Sequence, residues 1–341
     1  MTLRDGLNEA LSLVGSGPAQ RVDRLSGGHI HGTWSVHTPT GRVVAQVLNN
    51  RVFADLDACE ENVRRISDHL ANGAELRVPR PLPGPDGRCH VSDASGRTWR
   101  LTEYAIGTRA ATAVRSASAA WRAAQAFGRY VSALADLPGS PLHATIDRFH
   151  DLAYRVEQLD AAVACDRVGR VAASGHDIDQ IRSLATVVGS TLAALPAQPV
   201  RLVHNDAKVG NLRLGSGGDV VVLDLDTTMP GAVIFDVGEL LRTATHDRVE
   251  DDPGDGRLRI DRERVDAVIE GFVQGAASLL SAAELAGLRS AAPLMAVENA
   301  VRMLADYLDG DRYFGASTPD QNLRRSRAQA AIATELAHLT L

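Results

Sequence analysis

A chain of 341 residues with 45% hydrophobic and 23% charged residues has the composition of a globular protein, and its length exceeds what one core usually organises, so two lobes are expected. No window approaches the run of about 20 apolar residues that spans a bilayer, so no membrane partner is expected. A net charge of −6 argues against nucleic acid as a partner, because phosphate-backbone contacts need a basic face.

The opening MTLRDGLNEALSLVG is amphipathic and carries neither the basic leader nor the apolar stretch of an export signal. The three cysteines, Cys59, Cys89 and Cys165, are widely spaced and odd in number, which predicts reduced, structural thiols in a cytoplasmic protein. Residues 20 to 50 read as strands, with apolar and polar residues alternating from Arg42 to Leu48 after a glycine-rich turn at Ser26 to Gly28. Leu56, Val63, Ile66 and Leu70 have helical spacing, and Asp55 is placed to cap that helix. A Pro/Gly cluster at 79–85 is a loop, and strands return from Cys89 to Ala105 before Gly107. Helical periodicity then runs to Leu195, a strand pair is predicted near Arg201 to Leu225, and the remainder is helical. Strands first and helices afterwards predict an α+β chain with a small N-terminal antiparallel-sheet lobe, residues 1–104, and a larger, mainly helical C-terminal lobe, residues 105–341.

The densest chemical signal is Val203-His204-Asn205-Asp206-Ala207-Lys208-Val209-Gly210-Asn211, followed by Val221-Val222-Leu223-Asp224-Leu225-Asp226. Phosphoryl transfer needs a carboxylate to orient the attacking hydroxyl and take its proton, with hard oxygen ligands for magnesium. Asp206 suits the first task, and Asn211 and Asp224 suit the second, in the H-x-D-x-K-x-x-N order that protein kinases and their relatives use. Read singly, these residues are also ordinary turn formers. Lys208 is the only lysine among the 36 basic residues, and it falls inside this loop. A compact ammonium suits a transferring γ-phosphate better than a planar guanidinium does.

These residues resemble the aminoglycoside phosphotransferase and choline kinase superfamily and, within it, the N-acetylhexosamine 1-kinase group. The resemblance spans residues 22 to 335. It is carried by HNDAKVGN (204–211), DLDTTMPGAVIFDVGELLR (224–242) and RMLADYLDGDRYF (302–314), with support from GGHIHGT (27–33) and QVLNNRVFADLDACEENV (46–63). It implies a bilobal protein-kinase-like fold with ATP in the cleft. On that basis Gly27, Gly28 and Gly32 cover the phosphates, or else form a plain tight hairpin. Glu103, Tyr104, Ala105 and Ile106 form the hinge beside adenine. Gln46 faces the nucleotide where the superfamily expects a clamping lysine, which leaves Glu60 and Glu61 either solvated or functional.

For the acceptor, Asp226 stands two residues past the metal ligand, on the same side of an extended strand, and is placed against a sugar hydroxyl or as a turn cap. The resemblance carries over His29 and Arg302 as acceptor contacts, with Asp306 on the helix of Arg302; Arg302 and Asp306 can equally form an i,i+4 surface pair. Asp236 is read as a brace for the catalytic loop. Two departures stand out: His31 and Gly32 replace an asparagine and an acidic residue, and Ala207 replaces a threonine. The leading reading is an ATP- and Mg2+-dependent kinase of a sugar or amino sugar, at an N-acetylhexosamine's anomeric hydroxyl. Two alternatives are an antibiotic kinase, for which Asp247, Glu250, Asp251 and Asp252 would offer carboxylates, and a nucleotide-binding pseudokinase.

Overall fold

Helix starts follow local capping chemistry. Thr2 accepts from the Asp5 amide while Asp5 accepts from the Thr2 amide, a reciprocal box that opens the first helix. Asp55 accepts from the Ala58 amide, so the helix predicted after it begins where the sequence placed it. The structure, a computed structural model, describes residues 2–25, 30–50, 52–71, 76–111, 114–215, 219–248 and 258–340.

Along the chain the elements are α1 (Leu3–Leu13), β1 (Arg21–Arg24), β2 (Gly32–Thr38), β3 (Gly41–Val47), α2 (Leu56–Leu70), β4 (Leu76–Arg77), β5 (Val91–Ser92), β6 (Thr98–Glu103) and β7 (Thr108–Ala110). There follow α3 (Ala117–Ala133), α4 (Leu152–Cys165), α5 (Gly175–Ala193), β8 (Arg201–Val203), β9 (Leu212–Gly215), β10 (Val220–Val222) and β11 (Met229–Gly231). The rest is α6 (Val233–Ala244), α7 (Arg262–Ala276), α8 (Ala282–Gly287), α9 (Leu294–Leu308) and α10 (Gln321–Thr340). The chain forms two compact units. One comprises residues 1–110, 136–146 and 212–229, and the other residues 111–135, 147–211 and 230–341. Residues 105–110, 136–146 and 212–229 therefore group with the sheet-rich unit, although they follow residue 104 in sequence.

In the first unit an antiparallel sheet has the order β1-β2-β3-β6-β5. Alternation in β3 buries Val43 and Ala45 with Val36, Trp99, Leu101 and the Leu7 and Leu11 face of α1. Gln46, on the other phase, pairs in register with Arg100 of β6. A second sheet of order β4-β10-β9-β7 carries the chain into Asp224.

In the second unit α9 is buried on nearly every side, packed by α4, α5, α6 and α10. Helices α3 and α7 cross at very short range because glycines remove the side chains between them. A Cβ on Gly271 would lie 2.3 Å from the Trp121 carbonyl oxygen, and one on Gly275 would lie 2.2 Å from that of Gln125. Among the described residues no helix is long and apolar enough to cross a membrane.

Gly275→Ala must push the two helices apart and should destabilise the protein by about 1–3 kcal/mol in urea unfolding. Gly189→Ala, in a helix where an added Cβ meets nothing within 4 Å, should instead be neutral or stabilising by up to about 1 kcal/mol. Equal effects at the two sites would show that the crossing is not glycine-limited.

Candidate active site

In the second unit, β8 delivers the chain to a tight loop at His204. Asn205 takes a left-handed conformation, φ 59°, which costs a side-chain-bearing residue about 1 kcal/mol or more unless the surroundings hold it. They do. The buried Asp236 carboxylate of α6 accepts the amides of His204 (2.9 Å) and Asn205 (2.7 Å), and burial raises its pKa above the usual carboxylate value. The His204 ring is fully buried, edge-on to Phe127 and tilted against Tyr130, and its Nδ1 accepts the Asp206 amide at 3.3 Å.

Three polar side chains then meet. Lys208 Nζ is 3.2 Å from Asp206 Oδ2, and Asn211 Nδ2 donates to the same oxygen (2.9 Å) and to the Asp206 carbonyl (2.8 Å). The Lys208 amide also donates to the Asp206 carbonyl, so a single turn places all three. The Asn211 contacts use its amide nitrogen, and the atom that ligates a hard cation is its oxygen.

In the first unit the stretch after β10 is not an extended strand. Asp224 is left-handed (φ 61°, ψ 61°) and residues 225–227 form a 3-10 turn, so the two-residue alternation breaks: Asp224 is exposed and Asp226 is buried. This corrects the placement of Asp226 against a sugar hydroxyl. Only 2% of its side chain is exposed. Both its oxygens are taken, by the Arg100 guanidinium in a bidentate pair, by His31 Nε2 (3.1 Å) and by Cys59 Sγ (3.1 Å). The His31 Nδ1 accepts the Asn49 amide, so its Nε2–H donates. Burial pushes the Asp226 carboxyl up, but Arg100 and then His31 outweigh it and hold it far below the usual carboxylate range.

Gln46 accepts two hydrogen bonds from Arg100, at 2.8 and 3.2 Å. Where a lysine was expected, the sheet therefore carries a Gln–Arg–Asp chain. Glu60 and Glu61 have partners of their own: Glu60 takes the Cys89 amide (2.7 Å) and lies 2.5 Å from His90 Nδ1, and Glu61 pairs with His143 at 3.0 Å.

Gly27, Gly28 and His29 lie outside the described residues, as do Glu250, Asp251 and Asp252. Asp247 pairs with Arg264. Gly32 begins β2, and a Cβ there would lie 2.6 Å from the Trp34 ring, so packing constrains that position too. Glu103 ends β6. Ile106 is 72% exposed, and the Tyr104 ring is covered by the Arg42 guanidinium at 3.7 Å. Asp306 is also corrected: it accepts the amides of Tyr313 (2.7 Å) and Phe314 (3.0 Å) and a bond from Asn322, so it ties a loop. Arg302 turns the other way along α9, to Glu298 at 3.7 Å, and packs on Phe149, Tyr313 and Phe314.

Residues 21–276 match the family model described as "Phosphotransferase enzyme family". The chain belongs to that family. It is a small-molecule phosphotransferase acting on a hydroxyl acceptor, within the superfamily of aminoglycoside phosphotransferases and choline kinases. Solved structures share the protein-kinase-like fold. A microcompartment-associated aminopropanol kinase is 17% identical with a TM-score of 0.65, covering 97% of this chain and 96% of its own. An aminoglycoside phosphotransferase from Alicyclobacillus acidocaldarius is 17% identical with a TM-score of 0.58, covering 96% and 94%. A spectinomycin phosphotransferase in complex with ADP and spectinomycin is 11% identical with a TM-score of 0.60, covering 98% and 97%.

Sequence reasoning missed Arg100, His150 and Glu298. An arginine between Trp99 and Leu101 in a buried strand is a signal for the first, but its partner appears only with the β3–β6 register. Removing one partner of a buried ion pair strands the other charge. Arg100→Met or Asp226→Asn alone should therefore cost about 3–5 kcal/mol in urea unfolding, and the double variant much less than the sum of the two. Additive losses would mean the pair is not the cluster's main interaction.

Proposed function

We propose that the protein transfers the terminal phosphoryl group of ATP to a hydroxyl of a sugar or amino sugar, in the cytoplasm. The observation that carries this reading is the meeting of Lys208 and Asn211 on the Asp206 carboxylate, in a loop fixed by Asp236. Asp206 orients the acceptor hydroxyl and takes its proton as the phosphoryl group transfers. Lys208 supplies a point charge for the γ-phosphate. Asn211 and Asp224 offer an amide and a carboxylate oxygen, the donor set that magnesium takes, and the ion would neutralise phosphate charge there. Arg100 is neutralised by Asp226, so nucleotide charge is left to Lys208, to backbone donors and to that ion. The exposed Ile106 and the Glu103–Ala105 backbone are the hinge for adenine, and Gly27, Gly28 and Gly32 cover the phosphates.

The sugar reading, with the anomeric hydroxyl of an N-acetylhexosamine as its finest form, draws on the DLDTTMPG and RMLADYLDGDRYF blocks. With Asp226 and Asp306 committed elsewhere, His29 and Arg302 are its remaining acceptor contacts. A second reading, an amine-bearing alcohol or aminoglycoside, is favoured by the names of the structural relatives: aminopropanol, spectinomycin and choline.

ADP release with magnesium across N-acetylglucosamine, N-acetylgalactosamine, galactose, glucosamine, aminopropanol, choline and aminoglycosides separates the two. The expected result is a neutral or N-acylated sugar with the highest kcat/KM. An amine more than about tenfold better, roughly 1.4 kcal/mol, would replace the sugar reading. Asp206→Asn should lower kcat by about 10²–10⁴-fold with the KM for ATP nearly unchanged. Asp224→Ala should weaken magnesium-dependent nucleotide binding as well. Retained turnover in Asp206→Asn would remove that residue from the mechanism.

A further inference from the structure

The peptide joining Asn205 to Asp206 is pinned at both ends by imidazole rings. Its N–H donates to His204 Nδ1 at 3.3 Å, and its carbonyl lies 2.8 Å from His150 Nε2. The other nitrogen of His150 lies 3.0 and 3.1 Å from the two oxygens of Glu298, a carboxylate with no exposed side-chain surface. A backbone carbonyl and a carboxylate only accept hydrogen bonds, so satisfying both requires a ring with two N–H groups. His31, whose Nδ1 accepts an amide, is in the opposite situation.

We propose that His150 is a positioning residue that, as an imidazolium paired with Glu298, holds the Asn205–Asp206 peptide and thereby aims the Asp206 carboxylate. The proposal rests on the reading of Asp206 as the base. The groups facing the pair are known on each packed element. Glu298 and Arg302 come from α9, with Arg302 3.7 Å from the Glu298 carboxylate. Arg155 of α4 acts on Glu298 by its charge, and Asp236 of α6 and His204 flank the loop. The rings of Phe149 (4.2 Å) and Phe235 (4.8 Å) pack tilted against His150, whose side chain is buried.

Burial works against the charged ring, but the Glu298 charge and hydrogen bonds outweigh it and raise the His150 pKa above its ordinary value; Arg302 pulls the other way. Glu298 is correspondingly lowered, against its own burial. The sign is that of a raised histidine. The clamp is fully present below about pH 6.5 and is lost as pH rises through the higher folded pKa. Past that point a ring lone pair faces either the carboxylate or the carbonyl, and the loop peptide loses its anchor. Sequence reasoning had no handle on this, because His150 lies 148 residues from Glu298 and 55 from Asn205.

The test is a 15N-histidine NMR titration of the full chain from about pH 5.5 to 9, with His150→Gln assigning the resonance. In the wild type, His150 should stay doubly protonated above pH 6.5, and Glu298→Gln should lower its midpoint by about one unit or more. A ring carrying a single proton at about pH 6.5 in the wild type overturns the proposal, as does a midpoint that Glu298→Gln leaves in place. Neither readout needs an acceptor, so failure of the sugar reading is distinguishable from failure of the clamp. With the best acceptor of the panel, His150→Ala should cut kcat by about 10–100-fold, the KM for ATP changing less than about threefold. His150→Gln, which keeps one donor and removes the titration, should restore part of kcat, and the alkaline limb that the wild-type kcat–pH profile is expected to show at the His150 midpoint should be absent from it. A parallel loss in KM, or an unchanged alkaline limb in His150→Gln, also overturns it.

Discussion

Asn205 must stay in a left-handed conformation for Asp206 to stand where Lys208 and Asn211 meet it, and the second unit is organised around holding that residue. Asp236 takes the two amides before Asp206, and His204 and His150 take the two ends of the next peptide. None of these holders comes from the loop's own turn except His204. They come from α6, from the segment before α4 and, through Glu298, from α9. The helices that bring them together are fixed by large burial and by the glycine-limited crossing of α3 and α7. A strained loop costs free energy, and a rigid helical frame offsets it.

The first unit shows the same economy with charge. Asp226, Arg100, Gln46, His31 and Cys59 form a closed set in which both carboxylate oxygens are occupied. Such a cluster contributes little net stability compared with apolar packing, since desolvation nearly cancels the attraction. Its consequence is specificity of arrangement: the bidentate pair fixes the strand face that carries Gln46 relative to the turn after β10. That turn exposes Asp224 while Asp226 is drawn inward, so two acidic residues two positions apart acquire opposite environments.

Membership of a phosphotransferase family and a shared fold at 11–17% identity constrain the chemistry more than the acceptor. A fold hosts many substrates because function resides in the particular site built on it rather than in the architecture. Here two of the four expected acceptor residues, Asp226 and Asp306, turned out to have internal work, one in an ion pair and one in a loop tie.

What lay within a few residues was legible in the sequence. Asp206, Lys208 and Asn211 meet because one turn brings them round, the Asp55 cap is satisfied three residues on, and alternation in residues 41–47 names the buried face of β3. The order of strands and helices, and with it the α+β class, followed from periodicity alone. Partner choice did not. Periodicity states which face of an element is buried, but which side chain on that face meets which depends on register and crossing geometry, so the Asp226–Arg100 pair, 126 residues apart, is a tertiary outcome. The error at Asp226 has a local cause as well: the period-2 rule presumes an extended backbone, and a left-handed Asp224 followed by a 3-10 turn ends that backbone before Asp226. The His150–Glu298 clamp lies wholly on the tertiary side, because each of its residues is an ordinary polar residue until folding removes water from between them.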